Sequence, residues 1–302
     1  MKGQISNLRQ IASVRRSTVI GGREDGLKII DCDNGKIRFL LNESKALDVM
    51  QLYHEGQNMS FVSKNGFSTD EGDFLSRFEG GMVYTCGLDA IGEQEGYEVH
   101  GSFHNKKAEV FNIVCDEKEI VVEAYVYDTA LCAKNLKMHR KVSSAVGSES
   151  LVIEDRLINE GYGEEEYCLL YHVNIGYPML DAGARVYAEV NGVESRSPFS
   201  AAKASARPYA SLPIPLADET CYFLDMKEPE ASLVNTKIGK KFTVRYSKET
   251  LPHFVHWSNM VAGDYAMGLE PATSTLDKDF KRSKIGAGES VDFRLELTVE
   301  KI

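Results

Sequence analysis

The chain lacks any cysteine pair at Cys-x-x-Cys spacing; its six cysteines, Cys32, Cys86, Cys115, Cys132, Cys168 and Cys221, are scattered. That removes the usual signatures of a zinc knuckle or a dithiol redox centre, and the thiols read as reduced, mostly packed groups. No run of about 18 apolar residues occurs, so no membrane-spanning helix is expected. The start, "MKGQISNLRQIASVRRS", has no continuous apolar core and no small-residue cleavage signal, which makes the cytoplasm the expected location. With no secretory signal recognised, the Asn42-Glu-Ser and Asn58-Met-Ser matches to the glycosylation pattern are expected to be accidental. Positive charge is also short: 35 Lys and Arg stand against 45 Asp and Glu, for a net charge of −10. Nucleic-acid binding is driven by basic side chains that release counterions, so no polyanion partner is expected. A neutral or small polar ligand fits better.

Helical periodicity is scarce. "STDEGDFLSRFEGG" admits one short helix begun by a Ser or Thr cap and stopped by the glycine pair. No helices alternate with strands, which argues against a doubly wound α/β sheet. There is no Pro/Ser-rich linker, low-complexity tract or fixed-period repeat, so one domain over residues 1–302 is the simplest organisation.

Two-residue alternation is what the chain has in quantity. In "VDFRLELTVE", Val291, Phe293, Leu295, Leu297 and Val299 alternate with Asp292, Arg294, Glu296, Thr298 and Glu300, the period of a strand with one face on a core. "KFTVRYS" repeats the pattern, and "GKIRFLLN", "AEVFNIVCD", "EIVVEAYVYD", "SLVIEDRLINE", "EEYCLLYHVNI" and "ARVYAEVNG" are further strand-like runs. Turn chemistry such as Asp33-Asn34-Gly35 and Asn191-Gly192 separates them. With 43% hydrophobic and 26% charged residues, the pattern predicts an all-β protein of antiparallel sheets packed as a large sandwich.

Three clusters depart from this background. "FEGGMVYTCGLDAIG" carries glycines that permit tight turns or close backbone approach, without the spacing of a phosphate loop or dinucleotide fingerprint. "HGSFHNKKAEV" places His100 four residues before His104, but no His-Glu-x-x-His arrangement completes a metal site, and none is expected. In "YAMGLEP" an apolar strand carries Glu270 directly before Pro271, as "LLYHVNIGYP" carries His172 and Asn174 shortly before Gly176 and Pro178. A buried imidazole or carboxylate is costly unless it is paired or tuned for proton transfer. Together the histidines and Glu270 are the minimum kit for general acid–base chemistry. No Gly-x-Ser-x-Gly elbow accompanies them, which disfavours an acyl-enzyme.

These segments, in this order and together with "LRQIASVRRSTVIGGREDGLKIIDCDNG", resemble the galactose mutarotase-like (aldose 1-epimerase) superfamily, and within it the branch called domain of unknown function 4432. The resemblance covers nearly the whole chain. It implies an antiparallel β-supersandwich with a sugar-binding cleft on a concave sheet, and a cofactor-independent enzyme that opens and recloses a sugar ring at the anomeric carbon. By it Glu270 would be the general base and His172 the general acid, roughly a sugar ring apart across the cleft, with His100 bonded to the sugar's hydroxyls or ring oxygen. Asn174 would share the face of His172.

The chain departs from the branch pattern where it has "SKALDV": Lys45 stands where an arginine is usual and Ala46 where a glycine is usual. Ser102 likewise replaces the arginine of a His-Gly-Arg motif. Losing a guanidinium removes a bidentate contact, which motivates a second reading, a non-catalytic carbohydrate-binding or sensing protein on the same scaffold. A third, a glycan hydrolase or lyase, would want a second carboxylate, and Asp89, Asp181 and Asp264 are its candidates. Further substrate contacts are sought in Lys45, in Arg207 of the extended "ARPYASLPIP" rim, and in Trp257 among the aromatics (Tyr171, Tyr177, Tyr209 and Tyr265 being the others) that could stack on a sugar. The expected partner is a small-molecule carbohydrate, with no cofactor, nucleic acid or membrane, and the oligomeric state is open.

Overall fold

The computed structural model describes residues 3–70, 72–277 and 279–302. Five strands, β1 (Ser13–Thr18), β2 (Lys28–Asp33), β3 (Ile37–Asn42), β4 (Asp48–His54) and β5 (Gln57–Asn58), form an antiparallel sheet in chain order. The larger sheet holds β6 (Val83–Leu88), β7 (Ala108–Cys115), β8 (Glu119–Thr129), β9 (Asn135–Ala145), β10 (Ser150–Asn159), β11 (Glu165–Ile175), β12 (Arg185–Ser195), β13 (Thr220–Asn235), β14 (Lys240–Tyr246), β15 (His253–Asn259), β16 (Ala266–Ala272), β17 (Ser283–Ile285) and β18 (Ser290–Lys301). Its main path runs β17-β11-β16-β15-β13-β14-β18-β10-β9-β8-β7, with β12 paired to β13 and β6 to β11. The antiparallel sheets expected from the alternation form, and their layout is the supersandwich that the resemblance implies.

Alternation becomes burial directly. On β18, Phe293, Leu295, Leu297 and Val299 are buried, and they pack in one cluster with Val122, Met138 and Ile153 of the large sheet and Ile30, Phe39 and Leu52 of the small one. Each such side chain contributes roughly 1.5–3 kcal/mol on leaving water.

A charged network also joins the two sheets. Arg140 of β9 is fully buried; its Nε and Nη2 donate to Asp155 of β10 at 2.9 and 2.6 Å, its Nη2 to Thr85 of β6 at 3.0 Å, and its Nη1 to Asp48 of β4 and to the Ala46 carbonyl. Burial opposes its charge, but Asp155 and Asp48 outweigh that and raise its pKa further. Asp48 also meets His104 Nδ1 at 2.6 Å, and His104 stacks on Tyr84 with ring centroids 3.7 Å apart.

The short helix of the glycine-rich segment forms as α1 (Phe74–Arg77), but its cap is Asp73, whose carboxylate accepts from the Ser76 N–H, rather than a Ser or Thr. A second helix, α2 (Pro198–Lys203), begins at the cap Ser197 with Pro198 in the first turn, where a missing N–H costs nothing. Among the described residues no helix is long and apolar enough to cross a membrane.

Candidate active site

Strand β11 is where the chemistry begins. Its residues alternate across the sheet, so Tyr171 points into the charged core and donates to Asp155 at 2.7 Å while His172 emerges on the opposite face. His172 sits opposite Tyr84 of β6, and on its other side β11 pairs with β16 at Leu170–Ala272 and Asn174–Gly268. Glu270 and the N–H-less Pro271 lie in the stretch between those two pairs; β16 continues past the proline to Ala272 rather than ending there.

The two side chains converge. His172 Nδ1 lies 3.3 Å from Glu270 Oε1, and neither atom has a hydrogen-bond partner. This is far closer than the sugar-ring separation expected from the sequence. They floor a cavity of about 350 Å³, within the roughly 300–1,000 Å³ of small-molecule sites. Aromatic rings stand over the histidines: Phe78 and Trp257 hold their ring centroids 5.7 and 5.3 Å from that of His172, and Phe74 packs 5.1 Å from His100.

His100 closes one side, its ring edge-on to His172 at 5.4 Å. Its backbone is left-handed, with φ of 63°, and the Gly92 N–H donates to its Nδ1 at 3.3 Å. An accepting Nδ1 leaves the proton of the neutral ring on Nε2, as a donor. The glycine-rich segment thus serves to aim a histidine.

Electrostatics keep this floor uncharged. Burial holds the Glu270 carboxyl well above its ordinary value, and the charge of Glu219 adds to that. Burial pushes His172 well below its ordinary value, helped by His100, against a contribution from Asn174 that raises it. His100 is pushed down to about 4 by burial and by Arg196. The pair therefore rests with one proton, on Glu270, beside an imidazole that can take it.

Of the other sequence candidates, Trp257 lines the cavity, its indole N–H donating to Glu219 at 2.7 Å. Asn174 is buried beside the site and donates to the His172 carbonyl at 2.9 Å. Lys45 and Arg207 are not brought there. Lys45 is tied to Glu79 on another face, and Arg207 borders a separate small cavity with Tyr209 and Tyr222. Ser102 also lies off the cavity, its hydroxyl donating to Asp89 at 2.9 Å. Asp181 is paired with Lys237, so of the three candidate second carboxylates only Asp264 reaches the cavity wall. Tyr171 is core, Tyr177 is exposed, and the Tyr265 hydroxyl donates to the Ser211 carbonyl at 2.6 Å. His100 and His104 diverge, and among the described residues no group of three or more His, Cys, Asp or Glu is placed to hold a metal ion.

Several contributors carried no signal in the sequence. Arg196 and Glu219 line the wall from distant segments, and Phe74 and Phe78 come from the loop around α1. Gly268 went unremarked although a signal existed: it lies two residues before Glu270 and so on the same face, and a β-carbon there would meet Glu270 Oε1 at 1.8 Å. Only a hydrogen leaves room for the carboxylate.

A family model described as "Domain of unknown function (DUF4432)" matches residues 24–299. No curated protein matches the sequence. Among solved structures, a putative aldose 1-epimerase from Klebsiella pneumoniae subsp. pneumoniae is 20% identical over 95% of this chain and 83% of its own, with a TM-score of 0.86. A galactose mutarotase-like protein from Clostridium acetobutylicum is 16% identical over 97% of this chain and 100% of its own, with a TM-score of 0.73. A putative mutarotase from Salmonella typhimurium is 13% identical over 99% and 96%, with a TM-score of 0.70. At these identities the likeness is one of fold.

Proposed function

We propose that this protein, which belongs to the DUF4432 family, is a cofactor-independent sugar epimerase of the aldose 1-epimerase kind. The observation that carries the reading is the His172–Glu270 pair, its facing atoms 3.3 Å apart and without other partners, at the floor of a cavity that Phe74, Phe78 and Trp257 help to line. In a cyclic aldose the ring oxygen and the anomeric hydroxyl are bonded to the same carbon. An acid and a base that serve both must themselves be close neighbours, as these are.

The reaction needs one proton taken from the anomeric hydroxyl and one given to the ring oxygen. Moving the resting proton from Glu270 to His172 arms the pair: Glu270 as carboxylate removes the hydroxyl proton, and His172 as imidazolium protonates the ring oxygen as the ring carbon–oxygen bond breaks. Rotation of the open-chain aldehyde and the reverse transfers give the other anomer and restore both groups. Burial of both groups disfavours the charge-separated pair, and the polar atoms of a bound sugar offset that cost. Trp257 and Phe78 offer ring faces to the sugar's apolar side, and His100 Nε2–H a donor to its oxygens.

The substitutions that motivate a purely binding role, at Lys45 and Ser102, lie away from this cavity, so they give no reason to withdraw catalysis from it. Anomer exchange followed by saturation-transfer NMR over a panel of aldoses tests the reading. Wild type should accelerate exchange, and Glu270→Gln should lose about 10²–10⁴-fold while binding sugar with similar affinity by calorimetry. Full exchange by that variant would overturn the assignment.

A further inference from the structure

The ring of charge around the cavity is paired in a particular way. Two cations reach its wall, Lys64 and Arg196. Lys64 Nζ lies 2.6 Å from Asp264, which is itself on the wall. Arg196 is held more completely: Nε lies 3.1 and 3.0 Å from the two Asp277 oxygens, Nη2 lies 2.9 Å from Asp277, and Nη1 faces Glu219 at 3.7 Å. Two of the three nitrogens, Nε and Nη2, are hydrogen-bonded to Asp277, and the third faces the Glu219 carboxylate at ion-pair distance.

This pairing is not needed to place the chain. The Arg196 N–H already donates to the Cys221 carbonyl at 3.0 Å, and α2 follows at once under its own Ser197 cap. Asp277 comes from a segment 81 residues away to meet the guanidinium. Beyond Arg196 the cavity opens into a groove of about 1430 Å³ that adds Glu93, Asp218 and Asp279 to the lining and, among the described residues, no cation besides Arg196. Arginine is the side chain best shaped to grip a phosphate or carboxylate bidentately, and here its Nε/Nη2 edge is already taken by Asp277. An anionic ligand would meet a neutral floor, two engaged cations and an acidic approach.

We infer that Asp277 is a specificity-determining residue: by occupying Arg196 it denies the cavity an anion grip, so that the protein takes uncharged sugars and rejects sugar phosphates and uronic acids. The inference rests on the sugar-epimerase reading for the kind of ligand, and on the ion-pair geometry for its charge. Asp277 touches Arg196 rather than the reacting atoms, so it acts on selection among substrates rather than on the chemistry.

The test is calorimetric binding of galactose, glucose, glucose 6-phosphate and glucuronate, with anomer exchange of the same sugars followed by NMR, for wild type and Asp277→Asn. Wild type should bind at least one of the neutral sugars with a Kd at least about tenfold below those of the two anions, the scale of placing like charges together. Asp277→Asn should narrow that ratio by about tenfold, and the gained anion affinity should fall as salt is added. Equal or tighter binding of the anions by wild type overturns the inference, even where exchange is catalysed and the epimerase reading stands. Neutral binding without exchange overturns the epimerase reading and leaves the inference intact. Failure of every sugar to bind overturns both. Because the wild-type comparison decides the charge preference alone, poor folding of the variant does not shield the proposal; Asp277→Ser is the substitute.

Discussion

A β-carbon at Gly268 would stand 1.8 Å from Oε1 of Glu270, so the glycine is the seat of the carboxylate. Gly268→Ala should displace Glu270 from His172 while leaving the strand pairing with β15 in place. A misplacement of about 1 Å in such a pair costs on the order of 100-fold. Exchange should fall by that amount with only a small shift in the thermal midpoint, and unchanged exchange would separate Glu270's position from its role.

The proton count of the pair sets the pH response. The competent state carries one proton, so activity is lost on the acid side when His172 gains a second and on the alkaline side when Glu270 gives up the only one. Burial pushes the first event well below the ordinary imidazole value of about 6.5 and the second well above the ordinary carboxyl value of about 4.3. The kcat/KM profile should therefore show no acid limb near pH 6.5, and the fall of His100 to about 4 keeps it neutral over the same range. An inflection at the ordinary histidine value would mean that His172 is hydrated in the working enzyme.

Arg140 should be the costliest single residue to remove. Its loss leaves Asp155 buried without a cation and Asp48 with His104 alone, which destabilises by about 3–5 kcal/mol. Urea unfolding of Arg140→Met measures it, and a loss below about 1 kcal/mol would mean that the two acids simply take up protons.

The same network makes stability depend on pH with a definite sign. Burial opposes the charge of His104, but its bonds to Asp48 and Glu79 outweigh that and raise its pKa. A raised folded value contributes stability that is complete below the unfolded value of about 6.5 and is lost as pH climbs through the folded one. The difference in unfolding free energy between wild type and His104→Gln should be largest below about pH 6.5 and shrink as pH climbs above it. A difference that grows with pH would show His104 neutral in the native protein.

How much was legible follows from which residues speak for themselves. The strands announce themselves because a half-buried sheet imposes a period of two, and β18 alternates almost residue by residue. His172 and Glu270 stood out because each is a polar group in an apolar run, and the structure brings those two together. Lys45 lies off the cavity because it sits in the turn between β3 and β4, and a motif position says nothing about which way a turn side chain will point. Ala46, read as standing where a glycine is usual, has φ of 50°, a left-handed backbone that glycine adopts without strain. The departure is thus conformational, and Ala46→Gly should stabilise by up to about 1 kcal/mol in urea unfolding. Arg196, Glu219 and Asp277 were illegible because their meaning lies in contacts between distant segments, which no local pattern encodes.

Tyr171 and His172 are adjacent in the chain and face opposite ways, the one bonded to the carboxylate that neutralises Arg140, the other open to the cavity. The peptide between them is therefore a hinge that cannot turn. The rim around Arg196 and Asp277 is tied instead by a partly exposed ion pair, so a substitution there alters the edge of the cavity and leaves the His172–Glu270 floor in place.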